Sequence, residues 1–331
     1  MGQSLLGHSV TPSLYHSPTP HLPPPLLPVV ELIPFSQQRF EAAYRIVQIA
    51  DFGSASEFPA ESLYWFDSLA STNQTAWELL EQGAPARTVV LALQQTAGRG
   101  QWGRQWFSPP GGLYLSVVLA PDLPVEHSAQ LTLCSTWGIA RVLRTIPARL
   151  SGVDVQLPVQ VKWLNDLILE GRKLGGILTE TRISQERITK AVVGVGLNWA
   201  NPVPEPGINL KSYLERQEIP LIESLEMLAA LTLHGVLSGY QRWQVEGIEA
   251  LLPSYFELLA YRDRPVWLSG QIGAIVGITS RGELRVQLQP TGTSSSEPFP
   301  ATSPTPPPEV LLKPGTISLG YESPSPKSGG T

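Results

Sequence analysis

The sequence predicts an α+β protein in which a mixed or antiparallel sheet is packed by helices and followed by a small C-terminal β-barrel. The 331 residues are 42% hydrophobic, which is enough to bury the core of one large domain and a smaller one. Runs typical of strands recur at hairpin spacing through the middle of the chain, between long amphipathic helical patterns. From about residue 262 only short β runs remain, which is typical of a small barrel.

The hydrophobic period of each segment predicts its secondary structure. Apolar residues spaced three and four apart predict helices, and short apolar runs bounded by turn residues predict strands. Ser71-Thr72-Asn73 precedes one helix, where hydroxyl and amide side chains favour an N-cap. We predict helices at residues 35–52, 74–81, 126–146, 221–243 and 248–259. We predict strands at residues 63–66, 88–94, 113–119, 159–163, 167–169, 173–181, 191–198, 265–268, 270–278, 283–289, 309–312 and 316–319.

Composition divides the chain into segments. The first residues are rich in proline, which favours extended chain over a packed domain, and a Thr/Ser/Pro-rich stretch interrupts the C-terminal strands. We predict a disordered leader at 1–34, a connecting helical segment at 35–59, a catalytic domain at 60–261, a C-terminal domain at 262–322 with a disordered insertion at 290–308, and a disordered tail at 323–331.

Charge and residue usage exclude several classes of function. The net charge of −5 argues against nucleic-acid binding, and we predict a cytoplasmic protein because no apolar run is long enough to span a membrane. The single cysteine, Cys134, lies in an apolar helical pattern and is interpreted as core packing. Three histidines fall in the leader, which leaves His127 and His234, too few for a metal cluster or a histidine-based triad.

The segment 94–108 carries the clearest chemical signal in the chain. It combines glycines, whose backbone N–H groups can approach an anion, with Arg99, Arg104 and the flat indole of Trp106. The spacing Gly98-x-Gly100-x-x-Gly103 matches a dinucleotide fingerprint, but the chain continues into Pro109-Pro110, which cannot form the helix that this fingerprint requires. The loop is therefore interpreted as a nucleotide site, and a ligand-free glycine hairpin remains the alternative.

Three further segments place cations, amides and glycines at strand ends. They are Lys162-Trp163-Leu164-Asn165-Asp166, then 172–178 with Lys173 and Gly176, and Gly194-x-Gly196-x-Asn198. Taken one at a time, none of these segments is decisive: a lone strand-end lysine is usually solvated, Gly175-Gly176 could simply let a helix pack closely, and Asn198 could simply close a turn.

Taken in order, these segments resemble the biotin–protein ligase family over roughly residues 62–319. The resemblance is carried by Ser71-Thr72-Asn73, residues 94–108 with Gly112–Ser116, Lys162-Trp163-x-Asn165-Asp166, Lys173-Leu174-x-Gly176-Ile177-Leu178 and Gly194-x-Gly196-x-Asn198. It implies a class II synthetase-like catalytic domain with an SH3-like C-terminal barrel. It also implies a biotin–[acetyl-CoA-carboxylase] ligase that uses ATP, biotin and Mg²⁺ to form biotinyl-AMP and then modifies a lysine of a biotin carboxyl carrier domain.

The resemblance also implies roles for individual residues. Lys173, Arg99 and Arg104 are the expected catalytic cations. The expected biotin-binding residues are Ser71, Thr72, Asn73, Gln95, Gly98, Arg99, Gly100, Lys173 and Gly176. The expected ATP-binding residues are Arg99, Arg104, Trp106, Asn165 and Asn198, and no residue is assigned to the metal. The protein is expected to be a monomer or a homodimer.

The chain departs from the family pattern at two positions. Gln101 stands where many bacterial members have an arginine that is thought to help hold biotinyl-AMP, and Leu164 stands where proline is usual. Two alternatives remain: a lipoate–protein ligase, and a biotin-sensing, repressor-like binding protein without enzyme activity. The first is disfavoured because the Arg-Arg-x-Ser-Gly-Gly-Gly pattern is not found, and the second because the leader replaces a helix-turn-helix.

Overall fold

The computed structural model describes residues 34–51, 62–152, 156–219, 222–268, 270–289, 308–316 and 319. The predicted leader up to residue 33, most of the predicted insertion and the predicted tail lie outside the described residues. The described residues all belong to one compact unit. The helices are α1 (Gln37–Ala50), α2 (Thr72–Glu81), α3 (Ala129–Ser151), α4 (Leu210–Gln217), α5 (Leu225–Glu246) and α6 (Ile248–Glu257).

The strands of the main sheet are β1 (Leu63–Phe66), β2 (Val89–Ala92), β3 (Leu113–Leu119), β4 (Leu123–Pro124), β5 (Val159–Lys162), β6 (Asp166–Leu169), β7 (Arg172–Ser184) and β8 (Arg187–Leu197). Their order is β1-β2-β3-β8-β7-β6-β5, and β4 pairs with β8 at the side. The pair β1–β2 is parallel, whereas the other neighbours are antiparallel. The predicted mixed sheet is therefore confirmed.

Helices α3 and α5 pack against each other unusually closely. A Cβ atom on Gly138 of α3 would lie only 2.1 Å from the carbonyl oxygen of Gly235 in α5. Glycine is required at this crossing because the two backbones meet without side chains between them. Helix α1 is anchored beside them, since Arg39 forms an ion pair of 2.7 Å with the buried Glu226 of α5.

The C-terminal strands form a second, four-stranded antiparallel sheet. Its strands are β9 (Pro265–Leu268), β10 (Gln271–Ile278), β11 (Leu284–Leu288) and β12 (Glu309–Leu312), in the order β12-β11-β10-β9. The turn between β10 and β11 contacts the main domain, because the indole of Trp163 donates a hydrogen bond of 2.9 Å to the Gly282 carbonyl. Residues 317 and 318 of the predicted last strand lie outside the described residues, and Thr316 belongs to a turn.

Two helix predictions need correction. The helix predicted at 126–146 begins later, at Ala129, after a short 3₁₀ turn over Val125–His127, and it continues past Pro147 to Ser151. Ile146 and Pro147 are buried, so packing outweighs the hydrogen bond that proline cannot donate. Helix α4 was not predicted, although Asn209 caps it by accepting a hydrogen bond of 2.9 Å from the Ser212 backbone N–H. Within the described residues, no helix is long and apolar enough to cross a bilayer.

Candidate active site

Most of the predicted site residues line one cavity of about 540 Å³. Its walls come from the start of α2, the glycine-rich loop 95–106, the turn between β5 and β6, strands β7 and β8, and the turn that follows β12. The predicted site residues on its wall are Ser71, Thr72, Asn73, Gln95, Arg99, Gly100, Arg104, Trp106, Asn165, Lys173 and Gly176. Gly98 and Asn198 are not part of the wall.

One part of the wall is polar but uncharged. The carboxamide oxygen of Gln95 accepts hydrogen bonds from the Thr72 backbone N–H at 2.8 Å and from its hydroxyl at 3.2 Å. Ser71 occupies the N-cap position of α2, but its side chain makes no capping hydrogen bond. Since the Ser71 side chain is buried on the cavity wall, its hydroxyl is positioned for a polar ligand atom.

Asn73 is tied into the protein on both sides of its carboxamide. Its oxygen accepts a hydrogen bond of 2.7 Å from Ser116, and its nitrogen donates one of 3.3 Å to the Leu178 carbonyl. These bonds connect α2 to β3 and β7. Asn73 lines the cavity as predicted, and its contacts also give it a role in holding the first turn of α2 in place.

The glycine-rich loop folds as a small hairpin. Trp106 donates its backbone N–H to the Gly98 carbonyl at 2.9 Å, and Gly100 donates to the Arg104 carbonyl at 2.7 Å. The tip is a 3₁₀ turn over Gln101–Gly103. The loop is therefore a hairpin, as the ligand-free alternative also predicted. Because the loop forms one wall of the cavity, it is also placed to contact a ligand.

Trp106 packs closely against strand β8. A Cβ atom on Gly196 would lie 2.3 Å from the indole nitrogen of Trp106, so only glycine at that position leaves room for the ring. The ammonium of Lys173 lies 5.3 Å from the centre of the ring, within range of a cation–π interaction. The indole nitrogen is buried and has no hydrogen-bond partner among the residues that the structure describes.

A cluster of cations faces the same cavity. The Lys173 ammonium forms an ion pair of 2.8 Å with Asp166, and Lys162 stands at the end of β5 with only 8% of the residue exposed. Burial is the main cause that lowers the pKa of the Lys162 ammonium to about 8; the Asp166 charge opposes this shift, and the Lys173 and Arg104 charges add to it. An anion entering the cavity would relieve this repulsion.

The two loop arginines differ in their surroundings. Arg99 reaches Glu180 of β7, with 3.3 Å between a guanidinium nitrogen and a carboxylate oxygen, and Glu180 also accepts a hydrogen bond of 3.0 Å from the Trp77 indole. Arg104 is exposed, and its guanidinium makes no ion pair within the described ranges. Both arginines line the cavity, but Arg99 is already paired with a protein carboxylate.

The two predicted asparagines serve the framework of the site. Asn165 donates a hydrogen bond of 3.0 Å from its side chain to the Ile177 carbonyl and lines the cavity. Asn198 donates one of 3.3 Å to the Lys173 carbonyl and accepts one from Asn201. Since Asn198 lies off the wall and holds the backbone of Lys173, its contacts favour a positioning role rather than contact with ATP. The Trp163–Leu164 peptide bond is cis, and the Leu164 carbonyl accepts a hydrogen bond of 2.8 Å from Tyr255.

Sequence reasoning missed four parts of the site. Lys162 and Asp166 belong to a segment that was singled out, and their strand-end position was the available signal. Glu180 and the turn Pro314–Thr316 gave no signal, because both reach the site only through the folding of distant segments. Among the described residues, no group of three or more histidine, cysteine, aspartate or glutamate side chains could hold a metal ion.

Comparison with known proteins agrees with this geometry. The model of the Biotin/lipoate A/B protein ligase family matches residues 65–198. The bifunctional ligase/repressor BirA of Salmonella typhimurium is 32% identical over 241 residues, which cover 72% of this chain and 70% of that protein. A biotin–[acetyl-CoA-carboxylase] ligase of Paracoccus denitrificans is 30% identical over 184 residues, which cover 54% of this chain and 72% of that protein.

A further comparison marks how far the similarity extends. BirA of Bacillus subtilis is 36% identical over 150 residues, but the match covers only 44% of this chain and 43% of that protein. The chain therefore matches less than half the length of that relative.

The fold is shared with a solved structure, the biotin protein ligase from Aquifex aeolicus in complex with biotin and ATP. The two superpose with a TM-score of 0.53 at 22% identity, covering 68% of this chain and 91% of that one. With the Salmonella relative 32% identical over 72% of the chain, the predicted resemblance is confirmed, and the chain belongs to the biotin–protein ligase family.

Proposed function

We propose that the protein activates biotin with ATP and attaches it to a lysine of a biotin carboxyl carrier domain, the acceptor in acetyl-CoA carboxylase. The observation that carries this proposal is a single cavity that joins an uncharged polar wall, at Ser71, Thr72 and Gln95, to the cations Lys162, Lys173 and Arg104. The uncharged wall suits the ureido ring of biotin, which needs donors and acceptors without added charge. The cations suit a reaction between a carboxylate and a phosphate.

The first step joins two anions. An oxygen of the biotin carboxylate bonds to the α-phosphorus of ATP. The bond between that phosphorus and the oxygen bridging to the β-phosphate breaks, and pyrophosphate leaves with the electron pair of the broken bond. Lys173 and Lys162 offset the repulsion between carboxylate and phosphate and the charge that develops on the phosphoryl oxygens. Asp166 holds the Lys173 ammonium at 2.8 Å before the substrates enter.

The second step transfers the acyl group. The carrier lysine bonds to the acyl carbon of biotinyl-AMP, AMP leaves, and the amine loses a proton. Arg99 and Arg104 lie in the glycine-rich loop on the cavity wall, where their charges stabilise the phosphate of the intermediate.

Mg²⁺ enters the proposal as part of MgATP. Magnesium is commonly held by one or two carboxylates together with substrate phosphates, rather than by an all-protein cluster. Asp166, a carboxylate on the cavity wall, fits that arrangement and would hold the ion, which would supply charge neutralisation on the phosphates.

The proposal also includes the C-terminal barrel, the cellular location and the oligomeric state that the sequence suggests. The described antiparallel strands β9 to β12 are compatible with an SH3-like barrel. A cytoplasmic location follows if the enzyme draws on the ATP of that compartment. A monomer and a homodimer both remain compatible with the proposed reaction.

The proposal is tested by labelling purified apo-carrier domain with ATP and either biotin or lipoate. Biotin-dependent, ATP-dependent modification of the carrier lysine, detected as an intact mass increase, is the expected result. Labelling with lipoate instead would support the lipoate–protein ligase alternative. Tight biotin binding without labelling would support the binding-protein alternative.

A further inference from the structure

Trp102 stands at the tip of the glycine-rich loop in an unusual conformation. Its backbone has φ 59° and ψ 33°, in the left-handed region that a tryptophan rarely adopts. The residue is 68% exposed although its side chain is large and apolar. A strained backbone that presents an apolar ring outward at a functional loop calls for a reason other than core packing.

The ring of Trp102 meets the turn that follows β12. A Cβ atom on Gly315 would lie 2.9 Å from Cζ2 and 3.1 Å from Cε2 of the indole, so the ring rests directly on the Gly315 backbone. Gly315 has φ 87°, which also favours glycine. The turn is held by its own hydrogen bonds, from the Thr316 backbone N–H and hydroxyl to the Lys313 carbonyl at 3.1 and 2.7 Å.

This contact lies on the cavity rather than beside it. Trp102, Pro314, Gly315 and Thr316 all line the wall, together with Leu319. Beyond α6, the described residues that line the cavity are Pro314, Gly315, Thr316 and Leu319. The contact therefore joins the loop of the main domain to the C-terminal region across the edge of the site.

Gln101, the residue before Trp102, bears on how the anionic intermediate is held in the cavity. Gln101 lines the same edge of the cavity and carries no charge. Closure of the wall at this edge would add to the electrostatic hold that Arg99 and Arg104 have on the intermediate. A contact between one indole and one turn is small enough to open and close at modest cost.

We propose that Trp102 and the turn Pro314–Thr316, here called the clasp, close over the acyl-adenylate and retain it in the cavity until the carrier arrives. The clasp rests on the proposed function, because it needs an adenylate to retain. It makes Trp102 a positioning residue for the second step. The C-terminal sheet supports the clasp by holding the turn at the end of β12.

The test measures how fast bound biotinyl-AMP leaves the full-length protein. The protein is loaded with radiolabelled biotin and MgATP in the presence of pyrophosphatase, desalted, and chased with unlabelled biotin and ATP while bound label is followed by rapid filtration. Trp102→Ala should release the adenylate about tenfold faster than wild type or more, since a change in retention appears in the dissociation rate. The matched control is Trp267→Ala, because Trp267 on β9 is 67% exposed and lies off the cavity wall.

A second pair of variants tests the contact itself. Gly315→Ala inserts a Cβ atom against the indole and should also speed release. In the Trp102→Ala background the same change meets no indole, so its effect should be smaller than in wild type, because only the backbone strain at φ 87° remains. Thermal unfolding of each variant checks that it is folded.

The outcomes separate the clasp from the proposed function. If wild type forms no adenylate from biotin and ATP, both are wrong. If wild type forms the adenylate but Trp102→Ala releases it at the wild-type rate, the clasp is wrong and the ligase proposal stands. The clasp would also be wrong if Trp267→Ala released the adenylate as fast as Trp102→Ala does. It would be wrong as well if Gly315→Ala raised the release rate by the same factor with and without Trp102.

Discussion

Lys162 on β5 and Lys173 on β7 face the same cavity from either side of β6 but differ in what surrounds their ammonium groups. Lys173 is paired with Asp166 at 2.8 Å and lies over the Trp106 ring. Lys162 is more deeply buried, and the charges of Lys173 and Arg104 oppose its protonation. Two cations in one small cavity are costly without an anion, which is consistent with a site that binds phosphate.

The lowered pKa of Lys162 predicts an alkaline limb in the activity profile. Below pH about 8 the ammonium is charged and attracts ATP, and above that value the charge is lost, so kcat/KM for ATP should fall as pH rises. In Lys162→Arg the group stays charged, because the guanidinium keeps its proton at these pH values. The limb should therefore move to higher pH in that variant, whatever its maximal rate.

The control for this profile is Lys211→Arg, which changes a lysine that lies off the cavity wall. Its alkaline limb should coincide with that of wild type. An unchanged limb in Lys162→Arg would remove Lys162 from the binding of ATP.

At the residue scale, motifs predicted which side chains would converge but not how they pair. Lys173, Trp106 and Gln95 meet at the cavity as their segments suggested. The Arg99–Glu180 ion pair could not be predicted, because it depends on the approach of two segments far apart in the chain. Likewise, Asn198 looked like a ligand-binding residue, and only the fold reveals that it holds the Lys173 carbonyl.

Among the elements, the contact between α3 and α5 sets the platform behind the main sheet. The crossing depends on Gly138, Gly235 and Gly239, where added Cβ atoms would meet backbone atoms of the facing helix at 2.1 to 2.6 Å. A helix interior normally disfavours glycine by roughly 1 kcal/mol relative to alanine. The close approach of the helices offsets this intrinsic cost.

Gly138→Ala should therefore destabilise the protein although alanine is the better helix former. The added methyl group would lie 2.1 Å from the Gly235 carbonyl oxygen and force the helices apart, costing about 2 kcal/mol in the free energy of unfolding. Chemical denaturation measures this change. Gln244→Ala, at an exposed position of α5, should change stability by less than about 0.5 kcal/mol, and stabilisation by Gly138→Ala would contradict the close packing.

The elements themselves were largely predictable, because most bury a regular apolar face. Strand β3 and the part of β8 from Ala191 onward are buried throughout and mostly apolar. The predicted bounds of β3 match those observed, whereas β8 begins earlier than predicted, at Arg187, because its first residues are mostly polar and exposed. Helix α4 was not predicted because it is short and mostly polar, so its hydrophobic period is weak. The end of α3 was misplaced because local propensity at Pro147 was outweighed by tertiary packing.

At the scale of the whole molecule, a buried ionic cluster fastens α1 to the helices behind the sheet. Asp51, at the end of α1, accepts hydrogen bonds from the Arg141 guanidinium at 2.9 and 2.5 Å and lies 2.8 Å from the His234 ring nitrogen. Burial alone would raise the pKa of the Asp51 carboxyl. The hydrogen bonds and charges of Arg141 and His234 outweigh it and hold that pKa far below its usual value of 3.8.

Asp51→Asn should lower the free energy of unfolding by about 3 kcal/mol at neutral pH, because it leaves Arg141 without its buried partner. A depressed carboxyl pKa contributes stability above the unfolded-state pKa and loses it as pH falls. The difference between wild type and Asp51→Asn should therefore shrink below pH about 4. The exposed pair Arg242–Glu246 gives a control, since Glu246→Gln should change stability by less than about 0.5 kcal/mol. A difference in the free energy of unfolding between wild type and Asp51→Asn that does not depend on pH would contradict this role of Asp51.

The assembly of the site from two sheets is what the sequence could not predict. The motifs all lie before residue 199, whereas Pro314, Gly315 and Thr316 complete the wall from the far end of the chain. Their placement depends on the docking of β9 to β12, including the hydrogen bond from Trp163 to Gly282. Such long-range contacts follow from packing of the whole molecule and leave no local periodic pattern.

We propose that this cavity activates biotin by adenylation, with Lys173 as the principal cation. The most direct measurement is the single-turnover rate of biotinyl-AMP formation, quantified by mass spectrometry after acid quenching, for wild type, Lys173→Ala and the control Lys211→Ala. We expect wild type and the control to form biotinyl-AMP at similar rates and Lys173→Ala to be slower by about 100-fold or more, because an electrostatic partner of the transition state is lost. Absence of biotinyl-AMP with wild type, or an undiminished rate in Lys173→Ala, would contradict the claim.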